Sequence, residues 1–195
     1  MAEFRRYLAK RHPGWKLTSG KNVWDLQRGI DALGSFDFID HNRIGVIGHS
    51  LGAWDSIMLL AMDDRVKVGV VNSGGMPSFR SELWEDPDAL RSYLTNPKAQ
   101  GLTANVNIWI MLAAPRPLLY LHSLQDGYER GLPNLTEGMR SFTTYYKTVS
   151  GVRTVPEKAD FNLYLHGFGH AFPLEARELA YAFLHSRLKL TSAGP

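Results

Sequence analysis

The sequence predicts an α/β protein: a mainly parallel sheet of about four strands, helices on both faces, and a small cap-like excursion over residues 76–115. Three observations carry that reading. Short runs rich in β-branched residues alternate with helix-spaced apolar patterns, as βαβ units require. One such strand runs into its helix through a glycine-flanked serine, Gly48-His49-Ser50-Leu51-Gly52. The composition, 44% hydrophobic, 21% charged and 11% aromatic over 195 residues, excludes disordered, collagen-like and coiled-coil proteins. A chain of this length buries roughly 70% of the surface its unfolded form exposes, so it forms a core without disulfides or a structural metal. Residues 1–195 read as a single domain.

Taken in order, Phe4, Tyr7 and Leu8 have helical spacing that Pro13-Gly14 ends, predicting a short amphipathic helix over 2–12. Val23, Leu26, Ile30 and Leu33 keep the same spacing behind the candidate caps Thr18 and Ser19. Gly34 then stands where a helix end favours a residue tolerant of positive φ. Residues 43–48 form a strand, and Ala53, Ile57, Leu60 and Ala61 continue as a helix almost without a linker. Val66 to Val71, apolar on both faces except at Lys67, reads as a buried parallel strand. The excursion is set apart by Pro77, Pro87, Pro97 and Pro115 and by Phe79, Trp84, Tyr93 and Trp109. A strand over 117–122, a helix over 135–149, a strand over 162–165 and a helix over 174–188 complete the pattern.

Zero cysteines remove thiolate catalysis, iron–sulfur clusters and zinc–thiolate sites. Lys and Arg number 22 against 19 Asp and Glu, scattered and not in blocks, so the net charge of +3 reads as a solvated surface. No nucleic-acid partner is expected. No run approaches the ~18 apolar residues of a membrane span. Charges at Glu3, Arg5, Arg6, Lys10 and Arg11 occupy the place of a signal peptide's apolar stretch. The expectation is therefore no membrane partner, while the compartment stays open, with the cytoplasm slightly favoured.

The chemistry concentrates at Ser50. In a strand-turn-helix setting a G-x-S-x-G match is a nucleophile elbow: the serine sits in a sharp strained turn, and Gly48 and Gly52 spare that turn two colliding side chains. The backbone N–H of Leu51 would face the oxyanion that forms when Ser50 attacks a carbonyl. Serine at its free pKa is a poor nucleophile, so a base and an orienting carboxylate are needed. Asp126 follows the 117–122 strand at the carboxyl edge of the sheet, the edge that carries Ser50. Its rivals are Glu129, farther out in the loop, and Asp160, which precedes a strand and belongs to the opposite edge. His170 follows the 162–165 strand through the flexible loop His166-Gly167-Phe168-Gly169 and is preferred as base over His166. On a glycine-rich loop the i, i+4 pair His166/His170 does not present both rings to one metal, so neither metal nor cofactor is expected. His49, Met76 and Trp109 are expected to contact substrate.

Three stretches carry a family resemblance. Asn22 to Ala53 (NVWDLQRGIDALGSFDFIDHNRIGVIGHSLGA) resembles the helix, turn, strand and elbow of α/β-hydrolases of the dienelactone hydrolase, acetyl xylan esterase and prolyl oligopeptidase kind. Ala114 to Gly127 (APRPLLYLHSLQDG) is similar to their strand and acid loop, and Leu163 to Pro173 (LYLHGFGHAFP) to their histidine loop. The resemblance implies Ser50 as nucleophile, Asp126 as acid, His170 as base and the Leu51 N–H as one oxyanion donor. It also implies several strands before the elbow strand, whereas residues 1–42 here read as two helices. The expected fold is thus a truncated α/β-hydrolase.

The function expected is a serine hydrolase that cleaves a small-molecule carboxylic ester through an acyl-enzyme. The rivals are a catalytically weak or inactive remnant serving as an interaction module, and a prolyl oligopeptidase-like peptidase. An elbow strand without upstream neighbours leaves an apolar edge at residues 43–48, which predicts a homodimer through that edge.

Overall fold

Runs of six or seven residues form the strands, the first two rich in β-branched residues and the last two in leucine and aromatics, and they pair in chain order. The computed structural model describes Tyr7, Lys10, Arg11 and residues 18–74, 106–126 and 160–189. Residues 1–41 and residues 42–195 are two compact units.

In the second unit, β1 (Ile44–His49), β2 (Val66–Asn72), β3 (Leu118–Ser123) and β4 (Phe161–His166) form a four-stranded sheet ordered β1-β2-β3-β4. All three pairings are parallel. β2 and β3 each have two neighbours, and their side chains are buried apart from Lys67, as a strand covered on both faces demands. On one face Val68, Val70, Leu119 and Leu121 pack against Ala176, Ala180 and Phe183 of a helix spanning Leu174–Leu188. The other face carries the helix Leu51–Met62, whose Leu60 lies over Gly69, and the helix Val106–Ala113 packs against it. Helices on both faces are therefore observed, as the alternation of elements predicted. Full burial of each Val, Leu or Ile in these layers contributes about 1.5–3 kcal/mol.

In chain order the helices are α1 (Thr18–Leu33), α2 (Leu51–Met62), α3 (Val106–Ala113) and α4 (Leu174–Leu188). Arg116 ties the ends of α2 and α3 together: its guanidinium donates to the carbonyls of Ala61, Asp63 and Ala113 at 3.3, 3.0 and 3.1 Å. A cation there also complements the negative helix ends.

The parallel register sets the site. His49 lies opposite Asn72, Asn72 opposite Leu121, and Ser123 opposite His166, so the carboxyl ends of all four strands share one edge. At the opposite edge Asp160 accepts from the Arg187 guanidinium and from Asn162 Nδ2 at 2.7 Å, an arrangement that ties α4 to the start of β4.

Several expectations shift in detail. Thr18 and Ser19 are the first residues of α1. Along α1 Val23 and Ile30 are buried, but Leu26 and Leu33 are exposed. Gly34 closes the helix by donating to the Ile30 carbonyl at 2.9 Å without a positive φ, since Gly169 is the only glycine with one among the described residues. Tyr7, Lys10 and Arg11 are helical, and the rest of the 2–12 helix lies outside the described residues. So do residues 76–105 of the excursion and the helix over 135–149. Residues 106–113 form α3, with Ile110 and Ala113 in the core. Among the described residues no helix is long and apolar enough to cross a membrane.

Candidate active site

β1 delivers Ser50 into a turn that ordinary residues avoid. Its φ of 55° and ψ of −119° place a non-glycine residue in strained backbone, held there because the Ser50 N–H donates to the Asn72 carbonyl at 2.9 Å. Its own carbonyl receives the N–H groups of Ala53 and Trp54, starting α2. Gly48 is required by close approach, since a Cβ there would lie 2.1 Å from the Gly52 carbonyl oxygen. Gly52 is not: a Cβ there meets nothing within 4 Å, so the expectation that both glycines avoid a collision holds for one only. Leu51 is the first residue of α2, and its N–H belongs to the helix-terminal donors that have no intrahelical acceptor.

Beyond β3, the chain turns through Ser123-Leu124-Gln125-Asp126. Gln125 N–H donates to Ser123 Oγ at 3.1 Å, Asp126 N–H to the Ser123 carbonyl at 3.3 Å, and Leu124 N–H to the His166 carbonyl at 2.8 Å. The result is a buried Asp126 carboxylate. Beyond β4, Gly169 adopts φ 61°, and Ala171 N–H donates to the Gly169 carbonyl at 2.8 Å, closing a tight turn with His170 at its centre.

These three loops converge. His170 Nδ1 lies 2.8 Å from Asp126 Oδ2, and His170 Nε2 lies 2.8 Å from Ser50 Oγ. An ionised carboxylate only accepts, so Nδ1 carries the proton and Nε2 is left with a lone pair to receive the Ser50 hydroxyl. The other candidates fall apart from this line. Asp160 is at the far edge of the sheet. His166 is buried, with Nδ1 accepting from the Phe168 N–H at 3.3 Å and Nε2 facing Asn72 Oδ1 at 3.2 Å. Trp109 lies on α3, the helix packed on α2, while Met76 and Glu129 fall outside the described residues. His49 does adjoin the site: its ring is 4.9 Å from that of His170 and 6.2 Å from that of Phe172.

The surrounding histidines are held toward their neutral forms. Burial lowers the pKa of His49, and the neighbouring His170 lowers it further. Burial likewise lowers His122 and His166, with the Asp126 carboxylate pulling both the other way. Among the described residues no cluster of three His, Asp or Glu side chains has metal-site geometry.

One residue escaped the sequence reading. Asn72, fully buried at the end of β2, donates through Nδ2 to His49 Nδ1 and to the Ala171 carbonyl, each at 2.8 Å. The available signal was a lone carboxamide closing an apolar run, Val68 to Val71, at the edge that carries the elbow.

No protein-family model matches the sequence, and no curated protein matches it. Solved structures do resemble it. A glucuronoyl esterase from Solibacter usitatus superposes with a TM-score of 0.59 at 17% identity, over 85% of this chain and 47% of its own. A CE15 glucuronoyl esterase from Teredinibacter turnerae gives 0.59 at 20% identity, over 84% and 45%. An esterase from Pyrococcus furiosus gives 0.54 at 21%, over 85% and 62%. The chain spans about half the length of the glucuronoyl esterases it resembles. The likeness is one of fold: the parallel sheet and its helices have the α/β-hydrolase arrangement.

Proposed function

We propose that the protein is a serine hydrolase that cleaves carboxylic esters through an acyl-enzyme, with Ser50 as nucleophile, His170 as general base and acid, and Asp126 as the group that orients His170. The observation that carries the proposal is the continuous relay from Ser50 Oγ to His170 Nε2 and from His170 Nδ1 to Asp126, each step at 2.8 Å. Ser50 Oγ attacks the ester carbonyl as its proton passes to Nε2; the imidazolium is stabilised by the buried carboxylate. Collapse of the tetrahedral intermediate breaks the bond to the alkoxy oxygen, which leaves with the proton from Nε2. Water then repeats the sequence on the acyl-enzyme and frees the acid. The first N–H of α2, that of Leu51, stabilises the oxyanion; losing one such donor in hydrolases of this type costs about 10²–10³ in rate.

The named esterases among the structural neighbours support ester over peptide as substrate. A fluorophosphonate probe is expected to label Ser50, and hydrolysis of short-chain nitrophenyl esters to disappear in Ser50→Ala and in His170→Ala. Equal rates in all three proteins would favour a non-catalytic interaction module instead. Cleavage of prolyl peptides with no ester turnover would favour the peptidase.

A further inference from the structure

The polar atoms behind the relay have one consistent set of proton positions, fixed from both ends by backbone groups. The Phe168 N–H is a donor, so His166 Nδ1 is a bare acceptor. A neutral His166 then carries its proton on Nε2, and the Asn72 atom facing it at 3.2 Å is the oxygen. Independently, the Ala171 carbonyl only accepts, so the Asn72 atom at 2.8 Å from it is the nitrogen. The two ends agree. The second N–H of that nitrogen points to His49 Nδ1 at 2.8 Å, so this atom is also a bare acceptor and a neutral His49 holds its proton on Nε2. Both amide donors and the amide oxygen are thereby engaged, across 23, 94 and 99 residues of sequence, while the Asn72 main-chain carbonyl receives the N–H of Ser50.

From this we infer that Asn72 is a positioning residue for His170: its carboxamide anchors the peptide that follows the base and holds the two flanking imidazoles, His49 and His166, in neutral Nε2–H tautomers. The inference rests on the reading of Ser50, His170 and Asp126 as the reacting groups. The anchor matters because His170 sits at the centre of a tight turn, and the Asn72 carboxamide ties the peptide after it to the end of β2 while Asp126 holds the ring itself. The tautomers matter because, among the described residues, titratable groups crowd His170 from the strand ends and loops: His49 at the end of β1, His122 on β3 and Asp126 beyond β3, with His166 at the end of β4 beside His49 and Asp126. A proton on His49 would place a positive charge beside the imidazolium that forms at His170, and one on His166 would place a charge beside His49. At His49 the Asn72 side chain opposes this by offering Nδ1 a donor, which a second proton there would displace, whereas burial and His170 lower the ring's pKa against the raising effect of the Asn72 backbone and Asp126. No carboxylate in its place does so, because a carboxylate invites the proton.

The test uses the full chain and two near-isosteric variants, Asn72→Leu and Asn72→Asp. In the parent, histidine side-chain 15N shifts at neutral pH should report Nε2–H and bare Nδ1 for both His49 and His166. Asn72→Asp should move the His49 proton to Nδ1 or protonate the ring. Both variants should lower kcat for a nitrophenyl ester on the order of 10²-fold with KM little changed, because misplacement of a reacting group by about 1 Å has that effect. A merely structural role would leave the tautomers and the kcat of folded protein unmoved. Nδ1–H on either histidine of the parent, or kcat within threefold of the parent in a folded Asn72→Leu or Asn72→Asp, overturns the inference. The 15N pattern decides even where a variant fails to fold. Absence of Ser50-dependent turnover in the parent instead overturns the hydrolase reading, and leaves the tautomer pattern to be judged separately.

Discussion

The two glycines of the elbow look equivalent in sequence and are not equivalent in space, which makes a paired substitution informative. In Gly48→Ala the new methyl would lie 2.1 Å from the Gly52 carbonyl oxygen, 2.4 Å from its carbonyl carbon and 2.5 Å from Ser56 Oγ. Contacts of a real Cβ essentially never fall below 3.0 Å, so the first turn of α2 has to retreat by about 1 Å. Two of the three obstructing atoms are backbone, so no rotamer change relieves the clash. Overpacking of this kind costs about 1–3 kcal/mol, and the same displacement carries the Leu51 N–H and Ser50 Oγ away from His170, for a further loss of about 10² in kcat/KM. Gly52→Ala meets open space inside a helix, where replacing glycine by alanine contributes about 0.5–1 kcal/mol of stability. Urea melts followed by circular dichroism give the stabilities, and the second-order rate of fluorophosphonate labelling at Ser50 gives the reactivity. Opposite signs of ΔΔG are expected, destabilising at 48 and stabilising at 52. Equal destabilisation by the two variants, or a Gly48→Ala protein that labels at the parent rate, would refute the reasoning from close approach.

Three further outcomes are expected. Ser73 has φ 50° and a buried Oγ with no hydrogen-bond partner among the described residues, so Ser73→Gly should raise stability by about 1 kcal/mol or more once the entropy of glycine is set against relieved strain and desolvation; an unchanged or lower urea midpoint counts against it. The buried His122 and His166 have folded pKa values below the 6.5 of the unfolded chain, so below pH 6.5 the unfolded state binds more protons and stability falls as pH falls, and a flat stability from pH 7 to 5 would contradict the assignment. Among the described residues β1 is hydrogen-bonded along its β2 side only and Ile47 is exposed, so the 195-residue chain is expected to form a two-fold dimer in light scattering, and a stable monomer near 21.9 kDa would refute edge pairing.

Much of the site was legible because one topological rule replaces many unknown distances. Ser50 and His170 are 120 residues apart and Asp126 and His170 are 44 apart, spacings that no local pattern connects. In a parallel sheet, however, every residue just past a strand's carboxyl end shares an edge with every other, and Ser50, Asp126 and His170 all lie just past β1, β3 and β4. The same rule placed Asp160, one residue ahead of β4, at the wrong edge, where it binds Arg187. What stayed hidden depends on contacts that the rule does not order. Whether a glycine is needed for space at 48 or at 52 depends on which way the first turn of α2 leans, and whether Gly34 needs positive φ depends on the path of the next loop.

Asn72 is the instructive omission, since the edge rule alone would have nominated it: it ends β2 at the carboxyl side, opposite His49. A search for catalytic groups by their capacity to ionise passes over a carboxamide, which has no pKa in the working range. Yet a carboxamide is suited to this position for that reason. It offers donors and an acceptor that do not change with pH, so it can hold two imidazoles and a main-chain carbonyl in a fixed pattern while His170, in the proposed reaction, gains and loses a proton. Aspartate at 72 would supply the acceptor but not the donors, and leucine would supply the volume but neither. On the proposed reading the edge thus separates into Ser50 and His170, which move a proton, Asp126, which orients the base, and a group whose value is that it cannot ionise.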